Sequence, residues 1–306
     1  MFFKFKKSFP LLCLLVSVML RGAYVKAEDT IIVSGYSYDE GGPHIILCNI
    51  DKKEYHKQYL NGQMINLTKS GPRYCVGIYN LVDFSSSPCP YKTSLDPRSK
   101  INHCSDCYRN IGFNPSYYNA TQISPQQLAY NETPHIVYLA YFSPTCVKVG
   151  TASLKRSNLR LLEQGAKAAF ILKTFPNAYQ ARKLEEKIVN SGFGILEGVT
   201  EKQKADILCS DRYDPAKASS VLTEFLKLLK ITPESSFLNL YPNYFYGTEV
   251  TLTYPDKTKL FSDRLVGEAV GMVGDMVIIR QKDRFFPITK FMIISVKNFI
   301  SCQVNQ

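Results

Sequence analysis

The sequence predicts an α+β fold with a small α/β region at its centre and β-rich regions on both sides. Residues 135–151 contain two short apolar runs, rich in β-branched and aromatic residues, whose separation by a Ser-Pro break is typical of a β-hairpin. The patterns that follow predict a helix, a third strand at 168–172 and a second helix at 177–190. With 306 residues and 45% hydrophobic content, the chain can bury a sizeable core and form two or three modules.

The first 27 residues have the three parts of a secretory signal. A cluster of lysines is followed by an apolar stretch at 11–20 and by small residues at Val25 and Ala27. The apolar stretch is too short for a membrane span, which needs ~20 apolar residues. We therefore expect an exported or secreted protein with no stable membrane span after removal of the signal, or a cytoplasmic protein if the segment is not a signal.

The net charge permits a polyanionic partner without requiring one. The formal charge is +11 with a pI of about 9.1, but five basic residues and no acidic ones lie in the first 27 positions. The remaining chain has 32 basic and 26 acidic residues, a net charge of +6. That balance is ordinary for a protein surface, so an argument for nucleic acid binding must come from a specific site.

Residues 28–133 are predicted to form a small antiparallel β unit with a cysteine-rich, zinc-ribbon-like module. Four of the nine cysteines cluster there, namely Cys75, Cys89, Cys104 and Cys107. A C-x2-C pair such as the last two lets two thiolates meet one tetrahedral ion, and two cysteines from a preceding loop complete a structural zinc site. The alternative is a pair of disulfides, which export would favour.

The central region, residues 134–196, carries two tripeptides on its predicted hairpin. Ile136-Val-Tyr138 lies on the first strand and Lys148-Val-Gly150 on the second, with nine residues between Tyr138 and Lys148; Arg160 and Glu185 follow on the two helices. This arrangement resembles the GIY-YIG nuclease superfamily, in which two such tripeptides form a hairpin and are followed by an arginine and a glutamate. The resemblance implies a GIY-YIG-like α/β domain.

The GIY-YIG resemblance implies a phosphodiester-cleaving site that uses a divalent metal. Glu185 would hold Mg²⁺, Arg160 would bind the scissile phosphate, and Tyr138 would assist the nucleophilic water or receive its proton. Lys148 stands in place of the second tyrosine and would contact the phosphate or act as a base.

The chain departs from the superfamily pattern at two further positions. Ile136 replaces the first glycine, and Gln164 stands where many members carry a histidine. These departures concern the chemistry of the site more than its scaffold.

A second resemblance covers more of the chain. Over most of residues 60–200, the order of the cysteine cluster, the hairpin and the two helices is similar to the uncharacterised family called domain of unknown function 2797. Beyond it, the patterns predict a helical region at 197–235 and several short strands at 236–306, which suggest a small β-barrel-like domain.

The sequence leaves two classes of function open. The first is a metal-dependent nuclease acting on DNA or RNA. The second is a non-catalytic, zinc-containing protein that binds nucleic acid, and an exported protein stapled by disulfides is a further alternative. The oligomeric state is not indicated by the sequence.

Overall fold

The computed structural model describes residues 29–69, 72–96, 98–99, 101–113, 123–245, 264–281, 284–289 and 296–297. The predicted secretory signal at 1–27 lies outside them. The strands are β1 Ile31–Asp39, β2 Gly42–Asn49, β3 Glu54–Tyr59, β4 Gln63–Lys69, β5 Arg73–Tyr74, β6 Ile78–Tyr79, β7 Ser86–Ser87, β8 Ser94–Leu95, β9 His135–Ser143, β10 Cys146–Ser153, β11 Ala168–Phe175, β12 Leu238–Asn239, β13 Arg264–Val273, β14 Met276–Gln281, β15 Arg284–Thr289 and β16 Val296–Lys297. The α-helices are α1 Ser105–Ile111, α2 Pro125–Asn131, α3 Ser157–Gln164, α4 Ala178–Val189, α5 Glu201–Ser210 and α6 Pro215–Leu229. The predicted α+β class is confirmed.

Within the described residues, the larger sheet has eight strands in the order β15-β14-β13-β4-β16-β1-β2-β3. The C-terminal hairpin β13–β14 therefore shares one sheet with the N-terminal strands, because β13 pairs antiparallel with β4. The Tyr38 hydroxyl on β1 donates to the carbonyl oxygen of Gly274, 2.8 Å away in the turn that follows β13. Among the described strands no closed barrel is formed, and the division of the chain into five segments stays a prediction.

The smaller sheet has the order β10-β9-β11-β12 and contains the predicted hairpin. All nine residues of its central strand, β9, are buried. Alternate side chains of β9 enter two separate apolar clusters, one with α4 and α6 and the other with α3. The predicted order of strand, strand, helix, strand and helix is confirmed in β9, β10, α3, β11 and α4.

The Cys-rich module, residues 72–113, contains little regular structure. Two short ladders, β5–β8 and β6–β7, are followed by the two-turn helix α1. Its apolar cluster consists of the four cysteines, with Ile78 and Leu95 packed against them. A segment with so small a core needs a crosslink or a metal to hold its shape.

The end of α3 joins the two sheets. Gly165 terminates α3 with φ +79°. The β13–β14 turn, Gly274-Asp275, packs on this end so closely that a Cβ atom at Gly274 would lie 3.1 Å from the Gly165 nitrogen. Glycine at both positions lets the two backbones meet, and the C-terminal hairpin is thereby fixed against the central region.

Candidate metal centre and polar cleft

Four cysteine side chains meet at the centre of the Cys-rich module. The Sγ atoms of Cys75, Cys89, Cys104 and Cys107 all lie within 4.8 Å of one another, and all four residues are buried. A tetrahedral ion with Zn–S bonds of about 2.3 Å requires sulfur atoms about 3.8 Å apart, which is compatible with this spacing. The four cysteines therefore form a group that can hold a metal such as zinc.

Local backbone geometry positions these sulfur atoms. The Cys75 Sγ atom accepts hydrogen bonds from the backbone N–H groups of Gly77 (3.4 Å) and Cys104 (3.2 Å). Gly77 has φ +97°, and a Cβ atom there would collide with the backbone of Ser87, so this turn requires glycine. The C-x2-C pair lies at the start of α1, where Cys104 is the N-cap residue.

The four cysteine thiols differ in their protonation behaviour: burial raises the pKa of Cys75 to about 11 and also raises that of Cys107, whereas at Cys89 and Cys104 burial is outweighed by hydrogen bonds, which lower the pKa. All seven cysteines in the described residues are free thiols, including these four. Although burial raises it, the pKa of Cys89 is lowered to about 7 by hydrogen bonds from the Thr93 and Tyr91 backbone N–H groups. Since the thiolate is the form that binds metal, these hydrogen bonds favour coordination.

His103 is not part of the cysteine group. Its Nδ1 atom lies 2.8 Å from the carbonyl oxygen of Gly77, so the ring ties the start of α1 to the Cys75–Gly77 turn. His103 also lines a neighbouring cavity, together with Gly77 and Ile78. The Cys-rich module is thus both the candidate metal centre and one wall of this cavity.

The cavity, here called the cleft, has a volume of about 650 Å³ and lies between the Cys-rich module and the smaller sheet. Its other wall contains all four predicted site residues, Tyr138 on β9, Lys148 on β10, Arg160 on α3 and Glu185 on α4. These residues are far apart in sequence, and the fold brings them together.

Tyr138, Gln164 and Arg160 form a hydrogen-bonded chain in the cleft. The Tyr138 hydroxyl lies 2.7 Å from the Gln164 amide. The orientation that satisfies both neighbours directs the Gln164 oxygen to the Arg160 Nε and Nη2 atoms (3.2 and 3.1 Å) and its NH2 group to the Tyr138 hydroxyl. In that orientation Gln164 donates to the Tyr138 hydroxyl, and its oxygen also lies 3.2 Å from that hydroxyl and can accept from it.

Burial sets the protonation of Tyr138 and Lys148. Desolvation raises the pKa of Tyr138 to about 12, which keeps the phenol protonated at neutral pH. Desolvation, with the nearby Arg160 charge, lowers the pKa of Lys148 to about 8, even though Glu185 acts in the opposite direction. Lys148 can therefore exchange a proton near neutral pH, which an exposed lysine does not do.

Glu185 is positioned by α4, whose N-cap residue is Asn177. The Asn177 Oδ1 atom accepts from the Gln180 N–H group at 2.9 Å. The carboxylate of Glu185 accepts a hydrogen bond from Thr151 Oγ1 at 3.3 Å, across from the second strand of the hairpin. Its oxygen atoms suit a hard divalent cation such as Mg²⁺.

Sequence reasoning missed several residues that line the cleft, namely His135, Arg156, Arg182 and Glu197. Arg156 binds both oxygens of Glu163 (2.5 and 2.6 Å) and lies over the Phe84 ring, so it links α3 to the Cys-rich module. The sequence places Arg160 three residues before Glu163, but the closer partner of Glu163 is Arg156. In the sequence, Arg156 and Arg160 lie in one short basic segment, and nothing there indicates which of them pairs with Glu163.

His135 has an unusual position at the start of β9. Its side chain is 2% exposed, its Nδ1 atom lies 2.7 Å from the Thr133 carbonyl oxygen, and its Nε2 atom has no hydrogen-bond partner among the described residues. Burial lowers the pKa of His135, so the ring is neutral at physiological pH. A buried histidine on a continuous apolar strand had no motif to identify it.

One family of known sequences matches most of the chain. A family model described as protein of unknown function (DUF2797) matches residues 62–282. The chain belongs to this family. The DUF2797 match includes the four cysteines, the cleft residues on β9, β10, α3 and α4, and the β13–β14 hairpin, so it extends well beyond the predicted 60–200. No curated protein and no solved structure matches the chain.

Within the described ranges, no helix has the length and hydrophobicity required to cross a membrane.

Proposed function

We propose that this protein is a metal-dependent phosphodiesterase that acts on nucleic acid in the cleft. The observation that carries the proposal is that Tyr138, Lys148, Arg160 and Glu185 line one cavity, with Arg156 and Arg182 as further cations. Cationic side chains around a carboxylate match the demands of a phosphate group and its metal ion. The sequence resemblance to GIY-YIG nucleases supports the same chemistry.

Arg160 is the proposed phosphate-binding residue. Its side chain is 45% exposed, and Glu163 lies 4.0 Å away and is already bound by Arg156. The Arg160 guanidinium therefore keeps donors for a substrate while Gln164 fixes its direction. A planar guanidinium can donate two parallel hydrogen bonds to a phosphate.

Lys148 and Tyr138 are the proposed proton-handling residues. The neutral Lys148 amine accepts the proton of the attacking water, because its pKa of about 8 leaves part of the population unprotonated near neutral pH. Tyr138 remains protonated and donates a hydrogen bond to a phosphate oxygen. The lysine thus takes the place of the second tyrosine of the superfamily.

Glu185 is the residue proposed to hold Mg²⁺, with water and substrate oxygens as the other ligands. An ion held by Glu185 would supply positive charge to offset the charge that develops on the phosphate. The cysteine group is proposed to hold structural zinc, which keeps the opposite wall of the cleft in place.

The test is cleavage by the purified full chain of supercoiled plasmid DNA and of single-stranded RNA, with and without added Mg²⁺. We expect Mg²⁺-dependent cleavage that falls at least about a hundredfold in both Glu185→Gln and Arg160→Gln. Glu224→Gln, which changes an exposed glutamate on α6, is the matched control and should cleave normally. Cleavage that persists in both site variants would overturn the assignment.

A second candidate is a nucleic-acid-binding protein without hydrolytic activity. Lys148 favours this second candidate, because a lysine at this position can bind a phosphate as readily as it can act as a base. In this case the chain binds oligonucleotides without cleaving them, and the affinity falls with salt concentration as phosphate contacts are lost. Arg160→Gln should then reduce the salt dependence by about one counterion, whereas Glu224→Gln should not.

A further inference from the structure

A second cavity of about 400 Å³ adjoins the cleft. It is here called the side chamber, and it lies between β1, the β13–β14 hairpin and α3. The two cavities share Ser34, Val76, Tyr79 and Asn102 in their linings, so they meet at these residues. The volume is in the range of about 300–1,000 Å³ that is typical of small-molecule pockets.

The side chamber contains an unpaired buried carboxylate. Asp275 lines it, is 7% exposed, and its Oδ1 atom has no hydrogen-bond partner among the described residues. Leaving such a group unsatisfied costs free energy, and native proteins rarely do so without a function. The chamber's other carboxylate, Glu163, is already bound at both oxygens by Arg156, so Asp275 is the acceptor left for a ligand.

The fold fixes Asp275 at this point. It is the second residue of the β13–β14 turn, whose first residue, Gly274, packs against Gly165 at the end of α3. An aspartate in a hairpin turn is usually exposed, but here the turn is covered by α3. The neighbouring Arg156–Glu163 pair joins the two cavities, because Arg156 lines the cleft and Glu163 lines the side chamber.

The chamber walls suit an aromatic heterocycle. Two tyrosines, Tyr36 and Tyr79, line it together with apolar side chains such as Val33 and Met272. Aromatic side chains are common surfaces for unstacked bases. Asn102 adds a donor, because its oxygen accepts from Arg73 at 2.6 Å and leaves the NH2 group for another partner.

We propose that the side chamber binds a guanine base of the nucleic acid whose phosphate lies in the cleft, with the Asp275 carboxylate accepting the guanine N1–H and N2–H groups. This inference rests on the proposed function. Guanine presents two adjacent donors on its Watson–Crick edge, which match the two oxygens of one carboxylate. Adenine and cytosine present one donor beside an acceptor, and uracil presents one donor between two carbonyl oxygens, so each of them would set a lone pair against the carboxylate.

The experiment compares binding of 5′-GMP, AMP, CMP, UMP and inosine monophosphate to the full chain by calorimetry. We expect GMP to bind about ten- to a hundredfold more tightly than the other three standard nucleotides, as for one bidentate contact. Inosine monophosphate, which lacks the N2 amino group, should bind more weakly than GMP. Comparing GMP with inosine monophosphate thus tests the contact between the N2 amino group and Asp275 without changing the protein.

Two variants separate this inference from the proposed function. Asp275→Asn should remove the preference for GMP and leave the binding of the other nucleotides unchanged, whereas Arg160→Gln should weaken all of them similarly. Glu224→Gln is the control, and thermal melting checks folding. Equal binding of all nucleotides by the unmodified chain would overturn the guanine site but keep the phosphate site. Absence of binding by any nucleotide would overturn both.

Discussion

The Cys-rich module and the central α/β region form opposite walls of one cleft, but different interactions stabilise them. The central sheet is covered on both faces, and β9 is buried along its whole length. The apolar cluster of the Cys-rich module is small: it consists of the four cysteines with the partly buried Ile78 and Leu95 packed against them. We infer that apolar packing stabilises the central region and that a metal stabilises the Cys-rich module. A substitution should therefore be able to unfold one of them without the other.

The largest effect is expected from loss of the metal. Cys107→Ser removes a fully buried thiol of the cysteine group that is proposed to hold the metal. Structural zinc contributes about 10–16 kcal/mol of binding free energy in small zinc domains, so the module should lose its fold when the ion is lost. Metal analysis should show loss of zinc, and hydrogen exchange should show loss of protection in residues 72–113 with protection retained in β9–β11.

Cys146→Ser is the matched control for this prediction. Cys146 is also a buried thiol, but it belongs to β10 and to the apolar cluster with β9. This variant should keep the zinc and the protection of the module. Equal protection of residues 72–113 in zinc-bound and zinc-free protein would contradict the proposed role of the metal.

The next largest effect is expected from a cavity in the core of the central region. Leu139→Ala removes a fully buried side chain at the centre of β9, which should lower the free energy of unfolding by about 2–5 kcal/mol while zinc remains bound. Denaturant unfolding followed by circular dichroism measures the change. Leu228→Ala is the control, because that leucine is 52% exposed and its loss should cost less than about 0.5 kcal/mol. A similar cost for both variants would argue against a packed central core.

The difference between the walls also explains what the sequence could predict. The central region follows local patterns, so its hairpin and its helices could be predicted from spacing. Tyr138, Arg160 and Glu185 are singled out by the resemblance to GIY-YIG nucleases, and their role stays a prediction. The four cysteines could be found because ligand spacing is itself a local signal. Strand pairing between β13 and β4 is not local, so the joining of the two β regions in one sheet could not be read from either segment.

The roles of individual side chains also depend on tertiary contacts that the sequence does not show. Arg156 and Arg160 look alike in the sequence, and only the fold pairs the first with Glu163 and aligns the second with Gln164. Asp275 follows Gly274 in the β13–β14 turn. Its burial arises because Gly274 and Gly165 bring that turn onto α3, which is a tertiary contact with no local signature.

A smaller effect is expected from Gly150→Ala, which alters the cleft without removing a polar group. Gly150 pairs with Tyr138 across the hairpin, and a Cβ atom there would collide with the Tyr138 ring and hydroxyl. We expect Tyr138 to be displaced, with at least about a tenfold loss of cleavage and a stability cost of about 1–3 kcal/mol from overpacking. Plasmid cleavage and thermal melting measure the two quantities.

Gly198→Ala is the matched control for the glycine substitution. A Cβ atom at Gly198 would meet no heavy atom within 4 Å. This variant should retain both activity and stability. If Gly150→Ala also retains both, the glycine of the second tripeptide is not needed to make room for Tyr138.

The last prediction concerns the pH dependence of Lys148. If the neutral amine accepts a proton from water, the cleavage rate should rise with pH through the pKa of about 8 and then level off. Lys148→Arg keeps the charge but cannot lose its proton in this range, so it should remove that rise. Lys227→Arg changes an exposed lysine on α6 and should leave the profile unchanged.

The pH dependence of the free energy of unfolding reports on the Lys148 pKa without a cleavage assay. The folded-state pKa of Lys148 lies below the unfolded value of about 10.4, so the unfolded chain binds the proton more tightly. Its contribution to the free energy of unfolding should therefore increase as pH rises from about 8 to about 10.4, and this increase should be absent in Lys148→Met. A pH-independent difference between the two proteins would show that Lys148 stays charged in the cleft, and would favour a phosphate contact over a base.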